Sequence, residues 1–203
     1  MRLRALPLRV AIFGWRARRV ASRIGDQFSL VSATRAPDLA VVLRLGRGRR
    51  HAVEIGTGTG WTSIALALAD HERTVVTFDP VYRPERERYL ELVDEGVRER
   101  ITFVNASGST GPQNNDPIEL LYIDGDHDRK AVIEDFSAWQ TVLSPTALVV
   151  FDDFTHPEYP GVREAVRDLG LEGRQYGSLF IHGLERTQHD VEVGADRGPS
   201  LGA

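Results

Sequence analysis

Short apolar runs alternate along this chain with stretches of helical spacing. Ala52, Val53 and Ile55 form one such run, followed by glycines and then by Ile64, Ala65, Leu66, Leu68 and Ala69, spaced for a helix lying on a sheet. Further strands are expected at 74–78, 101–104, 120–123 and 148–151. The charged stretch 83–96 reads as one helix, with Tyr89, Leu90, Leu92 and Val93 on its inner side. Ala131, Val132, Phe136 and Trp139 mark another, and a third begins near Gly161. Two short strands around Gly177 close the series, and Pro145-Thr146-Ala147 is expected to be a turn. Strand and helix in alternation predict an α/β domain with a mostly parallel sheet.

The N-terminal pattern differs. Residues 1–24 mix Arg with Leu, Val, Ile, Phe and Trp, which predicts one or two amphipathic helices. These helices are expected to cap the domain, join a second subunit as a homodimer, or rest on a membrane surface. A helix should then run from Pro37 to Leu45. Polar residues 185–203, with Gly and Pro, are expected to be a disordered tail. The domain reading is thus a basic segment 1–36, a ligand-binding domain 37–184 and a tail 185–203.

Charge sharpens that division. Residues 1–50 hold 12 Arg against Asp26 and Asp38, a net of +10, whereas residues 51–203 carry −14. Because the arginines are interleaved with core-type residues, a packed or solvated face is expected rather than a nucleic-acid arm. The chain has no cysteine, which removes disulfides, thiolate metal ligands and thiol nucleophiles. With no signal-peptide pattern and no long apolar run, a cytoplasmic protein is the expectation.

Candidate chemistry lies at strand ends. The stretch Glu54-Ile55-Gly56-Thr57-Gly58-Thr59-Gly60 joins a strand to a helix. Glycine lets a ligand lie against the backbone, and the helix N-terminus favours a negatively charged group. The nicotinamide fingerprint wants a third glycine where this chain has Trp61. Asp79 ends the next strand, about 20 residues beyond the glycines, where a carboxylate holds a ribose diol. Asp124 ends a later strand within Ile123-Asp124-Gly125-Asp126-His127, and Asp152-Asp153 ends the strand after it. Carboxylates from Asp124, Asp152 and Asp153 on one sheet edge suit a hard divalent cation such as Mg²⁺. His127 reads either as a general base or as a helix-start histidine bonded to Asp126 or Asp128.

Together these motifs resemble the class I S-adenosylmethionine-dependent methyltransferases, across roughly residues 30–183. The glycine stretch resembles their first motif. Ile123 to His127, Trp139 and Phe151-Asp152-Asp153 resemble a group of small O-methyltransferases similar to the catechol and caffeoyl-coenzyme A enzymes. The resemblance implies a Rossmann-like, mostly parallel seven-stranded sheet with helices on both faces. It implies that Glu54, Gly56, Thr57, Gly58 and Gly60 serve the methionyl end of S-adenosylmethionine, Asp79 the ribose and Ser107 the adenine, with Thr62 and Asp124 also binding the cofactor. It implies a cation at Asp124, Asp152 and Asp153, and His127 with Asp124 as catalytic residues acting on a small-molecule hydroxyl. Thr146-Ala147 replaces the family's Gly-Gly, Asp153 its asparagine, and His127 the lysine of the caffeoyl-coenzyme A type. The alternatives are a nucleic-acid methyltransferase, a nicotinamide oxidoreductase or a catalytically silent binding protein. The chain lacks the Asn/Asp-Pro-Pro-Tyr motif of base-methylating enzymes.

Overall fold

The computed structural model describes residues 6–183. Seven strands form one sheet: β1 (His51–Ile55), β2 (Thr74–Phe78), β3 (Ile101–Val104), β4 (Ile118–Ile123), β5 (Leu143–Phe151), β6 (Gly173–Tyr176) and β7 (Leu179–His182). Their spatial order is β3-β2-β1-β4-β5-β7-β6. The first five are parallel, and β7 pairs antiparallel with both β5 and β6. Chain order reverses at β1, where β2 lies on one side and β4 on the other. A ligand crevice opens at the carboxyl ends of strands at such a switch point.

The helices are α1 (Leu8–Ile24), α2 (Gln27–Ser32), α3 (Ala36–Leu45), α4 (Trp61–Ala69), α5 (Arg86–Leu90), α6 (Glu95–Arg98), α7 (Arg129–Trp139) and α8 (Pro160–Asp168). Alternation along the central strands assigns their side chains to two cores. Ala52, Leu120, Tyr122, Leu148 and Val150 face the layer of α1, α3 and α4. Val53, Ile55, Leu121, Ile123 and Phe151 face α7 and α8, where Phe136, Trp139 and Val166 meet them. Strands covered on both faces explain why the sequence shows them as continuous apolar runs.

Two elements depart from the sequence expectation. The stretch 83–96 is two short helices, because Asp94 accepts from the Val97 N–H and starts α6 as a new helix. Pro145-Thr146-Ala147 lies inside β5 and is no turn before it. Two steps along β4, from Ile118 to Leu120, match five along β5, from Leu143 to Leu148, so these residues bulge out of the ladder. The N-terminal segment gives one long helix, α1, whose Val10, Phe13, Ala17 and Ala21 are buried at helical spacing. Residues 1–5 and the tail 185–203 lie outside the described residues.

Candidate active site

The loop from Gly56 to Gly60 crosses the carboxyl end of β1 and is held from several sides. Gly56 has φ +96°, and a side chain there would run into the Asp124 carbonyl of the neighbouring strand. The backbone therefore requires glycine at this position. The Gly58 N–H donates to Asp79 Oδ2 at 2.8 Å, and Arg86 donates to the Gly58 carbonyl at 3.1 Å. The Thr57 and Thr77 hydroxyls are 2.6 Å apart.

Helix α2 braces the loop from outside. The Asp26 carboxylate accepts the Ser29 N–H and hydroxyl and the Tyr89 hydroxyl, and the Ser29 hydroxyl meets that of Thr59 at 2.6 Å. Phe28 packs beside Gly58, and Arg83 stacks over the Phe28 ring at 3.5 Å. Sequence reasoning did not single out Asp26, Ser29 or Phe28. Their partners lie 30 or more residues away, and their only local signal is that Asp26 caps α2.

The loop forms one wall of a cavity of about 910 Å³. Gly56, Thr57, Gly58 and Thr62 line it, as do Asp79 and Ser107. Each Asp79 oxygen accepts one backbone N–H, Oδ1 from Val81 and Oδ2 from Gly58, which leaves one lone pair on each for a diol. Glu54 and Gly60 do not line the cavity. Glu54 is only 1% exposed and lies beneath the loop, where its Oε2 accepts the Ser63 and Thr77 hydroxyls. Burial pushes its carboxyl up to about 7, against those two hydrogen bonds and Arg86. The expected direct contact from Glu54 to a cofactor is thus replaced by support of the loop from below. Side-chain alternation on β1 sends Glu54 away from the crevice.

Asp124, Asp152, Asp153 and His127 also line the cavity. Donor atoms of Asp124, His127 and Asp153 lie within 4.8 Å of one another. The His127 Nε2 is 3.3 Å from Asp153 Oδ2 and 3.9 Å from Asp124 Oδ1. It is buried and has no well-aligned hydrogen-bond partner. The helix-start reading of His127 does not hold, because Asp128 caps α7 and the imidazole faces the carboxylates. Its ring stacks on Tyr159 at 4.1 Å, and His156 also stacks on Tyr159 at 4.4 Å.

Asp152 departs from the expected three-carboxylate site. Its Oδ2 accepts the Tyr122 hydroxyl, and its Oδ1 accepts the Asp153 N–H at 2.7 Å and the Ser178 hydroxyl at 3.2 Å. Ser178 also donates to Asp38 at 3.0 Å, and Asp38 pairs with Arg35. Asp152 thus braces the end of β5. Asp153, the only non-glycine with positive φ (+52°) among the described residues, turns its side chain into the crevice. Such a conformation costs about 1–3 kcal/mol and is kept where the surroundings impose it.

Electrostatics fit a cation here. Burial holds the Asp124 carboxyl well above the usual carboxylate range, reinforced by Asp152, Asp153 and Glu54. Burial also raises Asp152, whereas the His127 ring holds Asp153 below its ordinary value. Two carboxylates and an imidazole nitrogen that makes no well-aligned hydrogen bond, converging in one crevice, are a donor set that a divalent ion fits.

The fold and these motifs have relatives. A family model described as a methyltransferase domain matches residues 53–154, half of the chain. No curated protein matches. Among solved structures, an O-methyltransferase from Bacillus cereus in complex with SAH is 15% identical, over 83% of this chain and 88% of that one, with a TM-score of 0.63. TomG, an O-methyltransferase from Streptomyces achromogenes involved in tomaymycin synthesis and solved with SAM, is 24% identical, over 76% and 77%, with a TM-score of 0.58. CalS11, a TDP-rhamnose 3′-O-methyltransferase of calicheamicin biosynthesis, is 17% identical, over 86% and 94%, with a TM-score of 0.59. The chain belongs to the methyltransferase-domain family and is built on the class I S-adenosylmethionine-dependent methyltransferase fold.

Proposed function

We propose that the protein transfers a methyl group from S-adenosylmethionine to a hydroxyl oxygen of a small molecule, assisted by a divalent cation. One observation carries this reading: Asp124, His127 and Asp153 converge in the same cavity as the glycine loop. The O-methyltransferase activity in the names of TomG and CalS11 agrees with it.

In this account the 56–60 loop receives the methionyl end of the cofactor, helped by Thr57 and Thr62. Asp79 accepts the ribose hydroxyls through charge-assisted hydrogen bonds, and Ser107 lies beside the adenine. Glu54 keeps the loop in shape from beneath. Asp124 and Asp153 would hold the cation, and two carboxylate oxygens leave positions for water and substrate oxygens, as Mg²⁺ prefers. When bound, the cation lowers the pKa of a hydroxyl beside it. The His127 Nε2 takes the proton from the acceptor hydroxyl, and Asp153 stabilises the imidazolium that results. The oxygen forms its new bond to the methyl carbon as the carbon–sulfur bond breaks, and the bonding pair leaves with sulfur. Tyr159 holds the imidazole plane, and much of the acceleration is positioning.

A second reading of His127 has its own support. An Nε2 that makes no well-aligned hydrogen bond, at this spacing, also suits a third metal ligand. The two roles separate in the His127→Ala variant. Unchanged cation affinity with slow turnover marks a base, and weakened cation affinity marks a ligand.

The reaction is tested by incubating the protein with S-adenosylmethionine and a panel of phenolic, catecholic and sugar hydroxyls, following S-adenosylhomocysteine by mass spectrometry. Turnover should stop in EDTA and return with Mg²⁺ or Mn²⁺, while cofactor binding persists. Full turnover in EDTA would remove the cation from the account.

A further inference from the structure

We propose that the outer face of α1 docks on an anionic lipid surface. The inner face of this helix is used in the core, through Val10, Phe13, Ala17 and Ala21. The opposite face carries Leu8, Ile12 and Trp15, which are 74%, 47% and 60% exposed. Residues 8, 12 and 15 recur at helical spacing and form one stripe. Arg9, Arg19 and Arg23 border it, and Arg19 stacks over the Trp15 ring at 4.9 Å.

Charge selects the occupant. Helix α1 contains five arginines and no acidic residue. Among the described residues, none of the five is ion-paired. The chain beyond residue 50 carries −14, so an anionic surface attracts the α1 side and repels the rest, which fixes orientation. A twofold pairing of α1 on α1 from a second copy would set two arginine rows against each other. A nucleic acid would use the arginines but would leave Leu8, Ile12 and Trp15 without a partner. An amphipathic helix with basic flanks and a tryptophan on its apolar face matches the lipid interface on both counts.

Helix α2, which follows α1, also exposes apolar side chains. Phe28 and Val31 of α2 are exposed, with Val31 83% accessible, and both line the cavity. No helix among the described residues is long and apolar enough to cross a membrane, so the contact is peripheral.

Flotation of the full chain with vesicles tests the proposal. One set contains phosphatidylcholine alone, the other phosphatidylcholine mixed equally with phosphatidylglycerol. Partitioning into the anionic vesicles should be about tenfold stronger or more, and should fall as salt rises. The exposed-face variant Ile12→Ser/Trp15→Ser should lose about tenfold while keeping its circular dichroism and cofactor affinity. Arg9→Gln/Arg19→Gln/Arg23→Gln should lose the preference for anionic lipid. Equal or absent partitioning, or a serine variant that binds like the wild type, would overturn the proposal. So would a doubled mass in sedimentation that the serine variant halves, which gives the face to a second copy. Salt-sensitive binding to duplex DNA or RNA without vesicle binding would overturn it as well.

Discussion

The His127 Nε2 lies 3.3 Å from Asp153 Oδ2, although the two residues stand on opposite sides of α7 and β5 in sequence. Two features impose this approach. Stacking on Tyr159 fixes the imidazole plane, and the positive φ of Asp153 turns its carboxylate inward. Gly161 at the start of α8 packs against the backbone of His127 to Arg129, where any side chain would run into the His127 carbonyl. If His127 acts as the base, His127→Ala should lower kcat by about 10²–10⁴-fold and leave S-adenosylmethionine affinity unchanged. Rapid-quench turnover and calorimetry on the same preparation check both halves. An unaltered kcat would exclude the role.

Glu54 makes the stability of the protein depend on pH. Its carboxyl rises from an ordinary 4.5 to about 7 in the folded state, where it is fully buried. Between these values the folded state binds more protons than the unfolded chain. Stability therefore falls as pH rises through the window, by about 3 kcal/mol in all. Glu54→Gln can still accept from Ser63 and Thr77 and carries no charge. Its urea midpoint should change less between pH 4.5 and 7 than that of the wild type, and should exceed it at pH 8. Parallel slopes for the two proteins would show that Glu54 does not titrate in this range.

Asp79 has two tasks in this account, bracing Gly58 and receiving the ribose. Asp79→Ala should weaken S-adenosylmethionine binding by about 1.5–3 kcal/mol, the value of hydrogen bonds to a charged group. A strand-end acid is not core, so the folded structure should survive. Calorimetry that finds full affinity in a folded Asp79→Ala protein would contradict the ribose assignment.

Tyr122 is completely buried and donates to Asp152, so Tyr122→Phe leaves the Asp152 carboxylate short of a donor while preserving packing. A loss of about 1–3 kcal/mol in folding stability is expected. A change under 0.5 kcal/mol in denaturant unfolding would mean that Ser178 and the Asp153 N–H suffice.

How much of this was legible in the sequence follows from the range of each interaction. The glycine loop could be read because strand, turn and helix signals are contiguous, and Gly56 is required by the adjoining strand. Strand ends named Asp79, Asp124 and the Asp152-Asp153 pair, because apolar runs stop there. Which member of the pair faces the crevice was not legible. It depends on the φ of Asp153 and on Tyr122 and Ser178, which hold Asp152 from 30 and 26 residues away. Glu54 was read as a contact to the cofactor because a motif gives position but not the face of the strand. The split of 83–96 into α5 and α6 turned on Asp94, a capping signal inside a stretch whose composition is uniformly helical. The brace of Asp26, Ser29 and Tyr89 joins α2 to α5 across 63 residues and leaves no pattern in either.

The most direct measurement is a titration of the protein with Mn²⁺, followed by electron paramagnetic resonance, in the wild type and in Asp124→Ala. Asp124 joins Asp153 and His127 in the proposed site, where burial raises its carboxyl and the nearby Asp152, Asp153 and Glu54 raise it further, negative charge that a cation would offset. One saturable site is expected in the wild type, lost in Asp124→Ala, with S-adenosylmethionine affinity largely retained in both. A wild type that holds no ion, or an Asp124→Ala protein that holds it equally well, would contradict the account.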